Sequence, residues 1–148
     1  MYVGDQEIEL RAMSRLGEAF PENTGKISVT SYNRQVLLTG QVPDEPTRAR
    51  ATDVVKGVPD VRTVFNELSI SGVTSFTARA NDTTITGNVK TRLLRNEQVP
   101  GTKIKVVTES GVVYLMGLVT KAEADIATGI ARTSSGVTKV VTLFETID

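Results

Sequence analysis

Val36-Leu37-Leu38-Thr39-Gly40-Gln41-Val42 returns as Val113-Tyr114-Leu115-Met116-Gly117-Leu118-Val119, 77 positions later. Ile27-Ser28-Val29 returns as Ile104-Lys105-Val106 at the same offset. The offset also pairs Asp5 with Asp82, Ile8 with Ile85, Leu16 with Leu93 and Lys26 with Lys103, without a gap. A period of this length exceeds a solenoid unit and suits a duplicated small domain. The 148 residues therefore divide into two lobes, 5–70 and 82–147, joined by a linker at 71–81. Each lobe is near the lower size at which one hydrophobic core holds a fold alone.

The same order of elements is legible in both lobes. Ile8, Ala12 and Leu16, then Ala19 or Phe20, fall at helical spacing, with Asp5 placed to cap and Pro21 to stop the helix. Lys26–Ser31 alternates as a strand, Tyr32-Asn33-Arg34 turns, and Gln35–Val42 is a second strand. Pro43-Asp44-Glu45-Pro46 opens a second helix running to Lys56. Val61, Val64, Phe65, Leu68 and Ile70 read as a third strand with imperfect alternation. In the second lobe Asp82 is placed to cap a helix with Ile85, Val89 and Leu93 on one stripe. Ile104–Thr108 and Val112–Val119 form a hairpin, Lys121–Thr133 a helix and Val137–Ile147 a strand. The fold class is α+β: two tandem αββαβ lobes. Each has a three-stranded mixed sheet, because the hairpin is antiparallel and the helical crossover adds a parallel strand. Both helices are expected on one face of that sheet, the only face apolar enough to form a core.

Composition narrows the function. The chain has no Cys, His or Trp. Thiolate catalysis, a Ser–His dyad and the usual zinc sites are thereby excluded. The segment 5–70 holds 8 Lys/Arg against 10 Asp/Glu, and 82–148 holds 8 against 7. No basic stripe for nucleic acid is present. No run approaches the length of a membrane span, and no signal peptide is visible. Asp44 with Glu45 and Glu123 with Asp125 sit at helix starts, where the dipole favours carboxylates. Ser110-Gly111 is a hairpin turn with no base beside it. No catalytic constellation, metal site or cofactor is read.

Gly40 and Gly117 stand inside strands, where glycine weakens the ladder. They are read as structural glycines, where a helix approaches the sheet backbone closely; a ligand seated against them is the alternative.

Asp-x-x-Ile at the start of both lobes, Leu-x-Gly-x-Val ending both second strands, and Gly136-Val137 before the last strand together resemble the BON domain. In the first lobe the Gly-Val is displaced to Gly57-Val58 or Asp60-Val61. The resemblance covers nearly the whole chain. Strings such as Ile27-Ser28-Val29-Thr30-Ser31-Tyr32 and Leu115-Met116-Gly117-Leu118-Val119-Thr120 are similar to dual-BON lipoproteins of the Gram-negative outer membrane, the branch associated with division and outer-membrane stress. That resemblance implies a non-enzymatic periplasmic protein tethered to the outer membrane by a lipidated cysteine, which this sequence does not contain. It implies a role in envelope integrity, and anionic phospholipid binding through the first helix of the second lobe. A soluble periplasmic stress protein that binds other envelope proteins is the alternative. A small-molecule or ion-binding module is a third reading, disfavoured because neither lobe offers a polar ligand cluster.

The residues of that helix bear on the lipid reading. At 100° per residue, Leu94 lies opposite Ile85. Thr84, Gly87, Thr91 and Arg95 share its arc and Lys90 flanks it. An apolar residue beside Lys90, Arg92 and Arg95 suits an anionic headgroup surface. The bland reading is that Leu94 packs on a neighbouring loop or the other lobe. Relatives of this branch often carry a large aromatic where this chain has Thr84. The first-lobe helix, with Asp5, Glu7, Glu9 and Glu18 against Arg11 and Arg15, is expected to be repelled by the same surface.

Overall fold

The structure is a computed structural model that describes residues 4–23, 26–70 and 76–147. The chain separates into two compact units, each with its own core. The first runs α1 (Asp5–Ala19), β1 (Ile27–Tyr32), β2 (Gln35–Val42), α2 (Glu45–Lys56), β3 (Thr63–Asn66) and β4 (Ser69–Ile70). The second runs α3 (Phe76–Arg95), β5 (Ile104–Glu109), β6 (Val112–Val119), α4 (Lys121–Arg132) and β7 (Lys139–Thr146).

In α1, Ile8, Ala12 and Leu16 recur every fourth residue and are all buried. They meet Val36, Leu38 and Val42 of β2 and Ala51 and Val55 of α2 in one core. The second lobe repeats this with Ile85, Val89 and Leu93 against Val113, Leu115, Val119, Ala127 and Ala131. Both helices of each lobe therefore cover one sheet face. The alternate residues Leu37, Thr39, Tyr114 and Met116 belong to neither core yet are buried as well. The expectation that only one face is buried was too narrow, since Leu37, Tyr114 and Met116 make the second face apolar too.

β1 pairs antiparallel with β2, and β5 with β6. The third strands add in parallel, β3 and β4 to β2 and β7 to β6. The hairpin turns are tight. Asn33 and Arg34 have φ of 49° and 65°, and Ser110 and Gly111 have 50° and 82°. Positive φ at both central residues marks the turn whose twist matches the flanking strands.

The second helices are capped locally. The Asp44 carboxylate accepts from the Thr47 backbone N–H at 2.9 Å, and hydrogen bonds from Thr47 hold that carboxyl below its ordinary range. Thr120 and Glu123 form a reciprocal capping box. One residue separates the lobes here: β2 is followed by Pro43-Asp44 before α2, β6 by Thr120 alone before α4. The insertion shifts the later correspondence by one. Asp60 (φ 69°) then matches Gly136 (φ 86°), so Asp60-Val61 is the first-lobe counterpart of Gly136-Val137.

Two first-helix expectations fail in the same way. Asp5 is not an N-cap; Gly4 is, without a side-chain cap. Asp82 is not one either, because α3 begins at Phe76. Ala78, Arg79 and Ala80 are good helix formers, and no breaker separates them from Asp82. Phe76–Asn81, read as linker, is thus helical; Ser71–Ser75 of that linker lie outside the described residues. The third strand of the first lobe also departs from expectation, being broken between β3 and β4. Asn66 Nδ2 donates to the Arg48 carbonyl and to Thr52 Oγ1, both at 2.7 Å. Asn66 Oδ1 accepts from Leu68 N (3.1 Å), and the Leu68 carbonyl accepts from Arg48 Nε (2.9 Å). Side chains thereby satisfy the Leu68 backbone in place of the ladder.

Candidate functional site

The repeated spacing of Asp-x-x-Ile acquires a role from the hairpins. Asp5 Oδ2 accepts from Asn33 N, and Oδ1 accepts from Arg34 N and from Ser31 Oγ, each at 2.8 Å. Asp82 Oδ2 accepts from Ser110 N at 2.8 Å and Oδ1 from Gly111 N at 2.9 Å. The two turn amides of each hairpin point at one carboxylate on the first helix. These charge-assisted bonds fix that helix across the end of its sheet, three residues before the isoleucine that enters the core.

A second tie sits at the other end of each first helix. Arg15 Nη1 donates to the Gly57 carbonyl at 2.5 Å. Arg92 Nη1 donates to the Ile130 carbonyl and to Ser134 Oγ, both at 2.7 Å, and Nη2 to Thr133 Oγ1 at 3.2 Å. Each guanidinium closes the C-terminal end of the second helix, where carbonyls lack backbone partners within the helix. Arg92 was read as one of three headgroup-facing cations. Its donors are directed into its own lobe, which leaves two.

The crowding at Gly40 and Gly117 does not come from the expected source. None of the heavy atoms nearest to an added Cβ at either position belongs to an α-helix. A Cβ on Gly40 would overlap the Lys26 carbonyl oxygen, and Gly40 has φ of 120°. A Cβ on Gly117 would lie 2.8 Å from the Lys103 carbonyl oxygen. In each lobe the crowding comes from the chain entering the neighbouring strand. No ligand is needed to explain either glycine.

With α3 positioned by Asp82 and Arg92, its outer face is defined. Ile85, Val89 and Leu93 are buried; Thr84, Gly87, Lys90, Thr91, Leu94 and Arg95 are all exposed. Leu94 is 59% exposed and does not pack on a loop of its own lobe. Lys90 and Arg95 make no ion pair among the described residues. Gly87 has open space where a side chain would be. The Thr84 hydroxyl donates back to the Ala80 carbonyl at 3.2 Å. The face is therefore a shallow surface of small residues carrying one leucine and two cations.

The equivalent face of α1 carries more exposed apolar surface than the sequence reading allowed. Leu10 is 65% and Met13 45% exposed, at the positions that Gly87 and Lys90 hold in α3. Their spacing of three was a legible signal, overlooked beside the charges. Glu7 there pairs with Arg11 at 2.6 Å.

One perturbed carboxyl lies near α3. Burial raises the Glu109 pKa, the Asp82 carboxylate adds to the rise, and Arg79 opposes it. Among the described residues no group of three or more acidic, His or Cys side chains is placed to hold a metal. None of the described helices is long and apolar enough to cross a membrane.

Residues 4–72 and 81–148 each match the BON domain. The chain is 36% identical over 147 residues to the outer membrane lipoprotein DolP of Haemophilus influenzae, covering 99% of this chain and 76% of that protein. It is 34% identical over 140 residues to the 21 kDa hemolysin of Actinobacillus pleuropneumoniae, covering 94% and 72%. It is 31% identical over 142 residues to the osmotically-inducible protein Y of Escherichia coli, covering 94% and 71%. The repeated Asp–hairpin clasp, the paired strand glycines and these matches together make the chain a tandem member of the BON domain family.

Proposed function

We propose that this chain is a non-enzymatic periplasmic envelope protein that binds anionic phospholipid at the inner leaflet of the outer membrane through the outer face of α3, and so supports outer-membrane integrity. The observation that carries the reading is Leu94, exposed on α3 beside Lys90 and Arg95. Each cation near an anionic surface contributes about 1 kcal/mol. Two cations and one inserted leucine give weak, reversible attachment, of the kind a covalent lipid anchor complements. The names of two relatives, an outer membrane lipoprotein and an osmotically inducible protein, agree with an envelope location and a stress role.

The experiment is an NMR titration with anionic and with neutral lipid vesicles or micelles. Anionic lipid is expected to shift resonances from Thr84 to Arg95, less so as salt rises, and neutral lipid to leave them in place. Leu94→Glu abolishes binding without unfolding, since the side chain lies outside the core. Leu10→Glu on α1 is the matched control and leaves binding intact. Arg15 is unsuitable as a control, because it holds the end of α2.

Leu10 and Met13 favour a second reading, a protein-binding envelope factor that uses α1. Shifts confined to α1, or none on Thr84–Arg95 with anionic lipid, would reject the lipid site and favour it.

A further inference from the structure

The two sheets end differently. In the first lobe the outer strand is broken between Asn66 and Ser69, and side chains occupy the Leu68 backbone. In the second lobe β7 runs unbroken for eight residues, Lys139–Thr146. It forms the edge of its sheet, and β6 is the one strand that pairs with it among the described residues. A long, apolar edge strand is a template for another strand.

The sequence of β7 is complementary to itself. Turned antiparallel about Thr142, Lys139 faces Glu145, Val140 faces Phe144, Val141 faces Leu143, and Thr142 faces its own copy. Opposite charges, a β-branched residue against an aromatic, aliphatic pairs and a threonine pair are the cross-strand combinations that stabilise antiparallel ladders. Every pair also respects the alternation of faces, so Val140 and Phe144 stay on the side of the lobe core. We infer that β7 is a docking edge for a second copy of this chain, giving a two-fold dimer in which two three-stranded sheets become one of six strands. A two-fold edge is self-limiting. That disposes of a strand which in isolation invites open-ended association. The opposite edge, β5, has six residues, two fewer to pair.

Sedimentation equilibrium on the full chain tests this. A concentration-dependent monomer–dimer equilibrium is expected. Lys139→Glu replaces two attractive pairs by repulsive ones and should weaken the dimer roughly tenfold; Glu145→Lys should do the same. An equimolar mixture of the two variants restores association, because every charge pair is then opposite. The chain has no cysteine, so Thr142→Cys gives an unambiguous probe and should oxidise to a covalent dimer faster than Val107→Cys on β5. Leu94→Glu leaves the dimer unchanged, which separates this edge from the lipid face. A chain monomeric at every soluble concentration overturns the inference. So does a dimer indifferent to the charge exchange, or one that cross-links faster through Val107→Cys.

Discussion

α1 and α3 are copies that have kept their inner faces and exchanged their outer ones. Both bury an apolar stripe, both hold a hairpin through an aspartate, and both close a second helix through an arginine. Outside, α1 carries Leu10 and Met13 with Glu7 and Glu18, whereas α3 carries Leu94 with Lys90 and Arg95. Both copies expose apolar side chains; the charges around them differ, an ion-paired Glu7 and Arg11 with Glu18 on α1 against Lys90 and Arg95 on α3. A duplicated fold of this kind retains what positions its elements and leaves its outer faces free to diverge.

The largest break in the comparison is expected at the strand glycines. Gly40→Ala meets both a carbonyl overlap and a left-handed backbone, and should cost about 3 kcal/mol or more. Gly117→Ala meets a contact of 2.8 Å without a positive φ, and should cost about 1–2 kcal/mol. Urea denaturation of the two variants checks this. Equal losses would show that backbone strain at Gly40 contributes nothing.

The clasp aspartates come next. Asp82→Ala removes the acceptor of two turn amides, and Asp5→Ala that of two amides and a hydroxyl. Each should cost about 2–3 kcal/mol, with the faster amide exchange localised to the hairpin of the affected lobe. If Asp5→Ala accelerates exchange only within the first turn of α1, the aspartate is a cap after all and the clasp is refuted.

The smallest effect is a pH dependence confined to the second lobe. Position 109 is Glu where the first lobe has Tyr32, and burial with the nearby Asp82 carboxylate raises its pKa. A carboxyl whose folded pKa is raised binds its proton more tightly in the native state. Its favourable contribution is complete below the unfolded value, 4.5, and is lost as pH rises through the folded one. Glu109→Gln should therefore raise the melting temperature at neutral pH, and the gain should vanish below that unfolded value. A gain that persists at low pH would assign the effect to packing instead.

Much of this was legible from residues alone. The offset of 77 implied two lobes, and the periodicity of Ile8, Ala12 and Leu16 and of Ile85, Val89 and Leu93 identified the buried stripes. Asp44 and Glu123 announced the second helices, and the six-residue face of α3 followed from its wheel. These signals are local, written within a few residues of the groups they govern. The roles of Asp5, Asp82, Arg15 and Arg92 were not legible, since their partners lie 26 to 42 positions away. Gly40 and Gly117 looked special in sequence, yet only the pairing of β1 with β2 and of β5 with β6 identified the carbonyl just before the neighbouring strand as the crowding atom. Arg92 is the clearest division between the two levels. Sequence placed its charge beside Leu94, and tertiary structure spent it on the end of α4, because the Ile130 carbonyl and the Ser134 and Thr133 hydroxyls there offer a guanidinium three fixed acceptors at once.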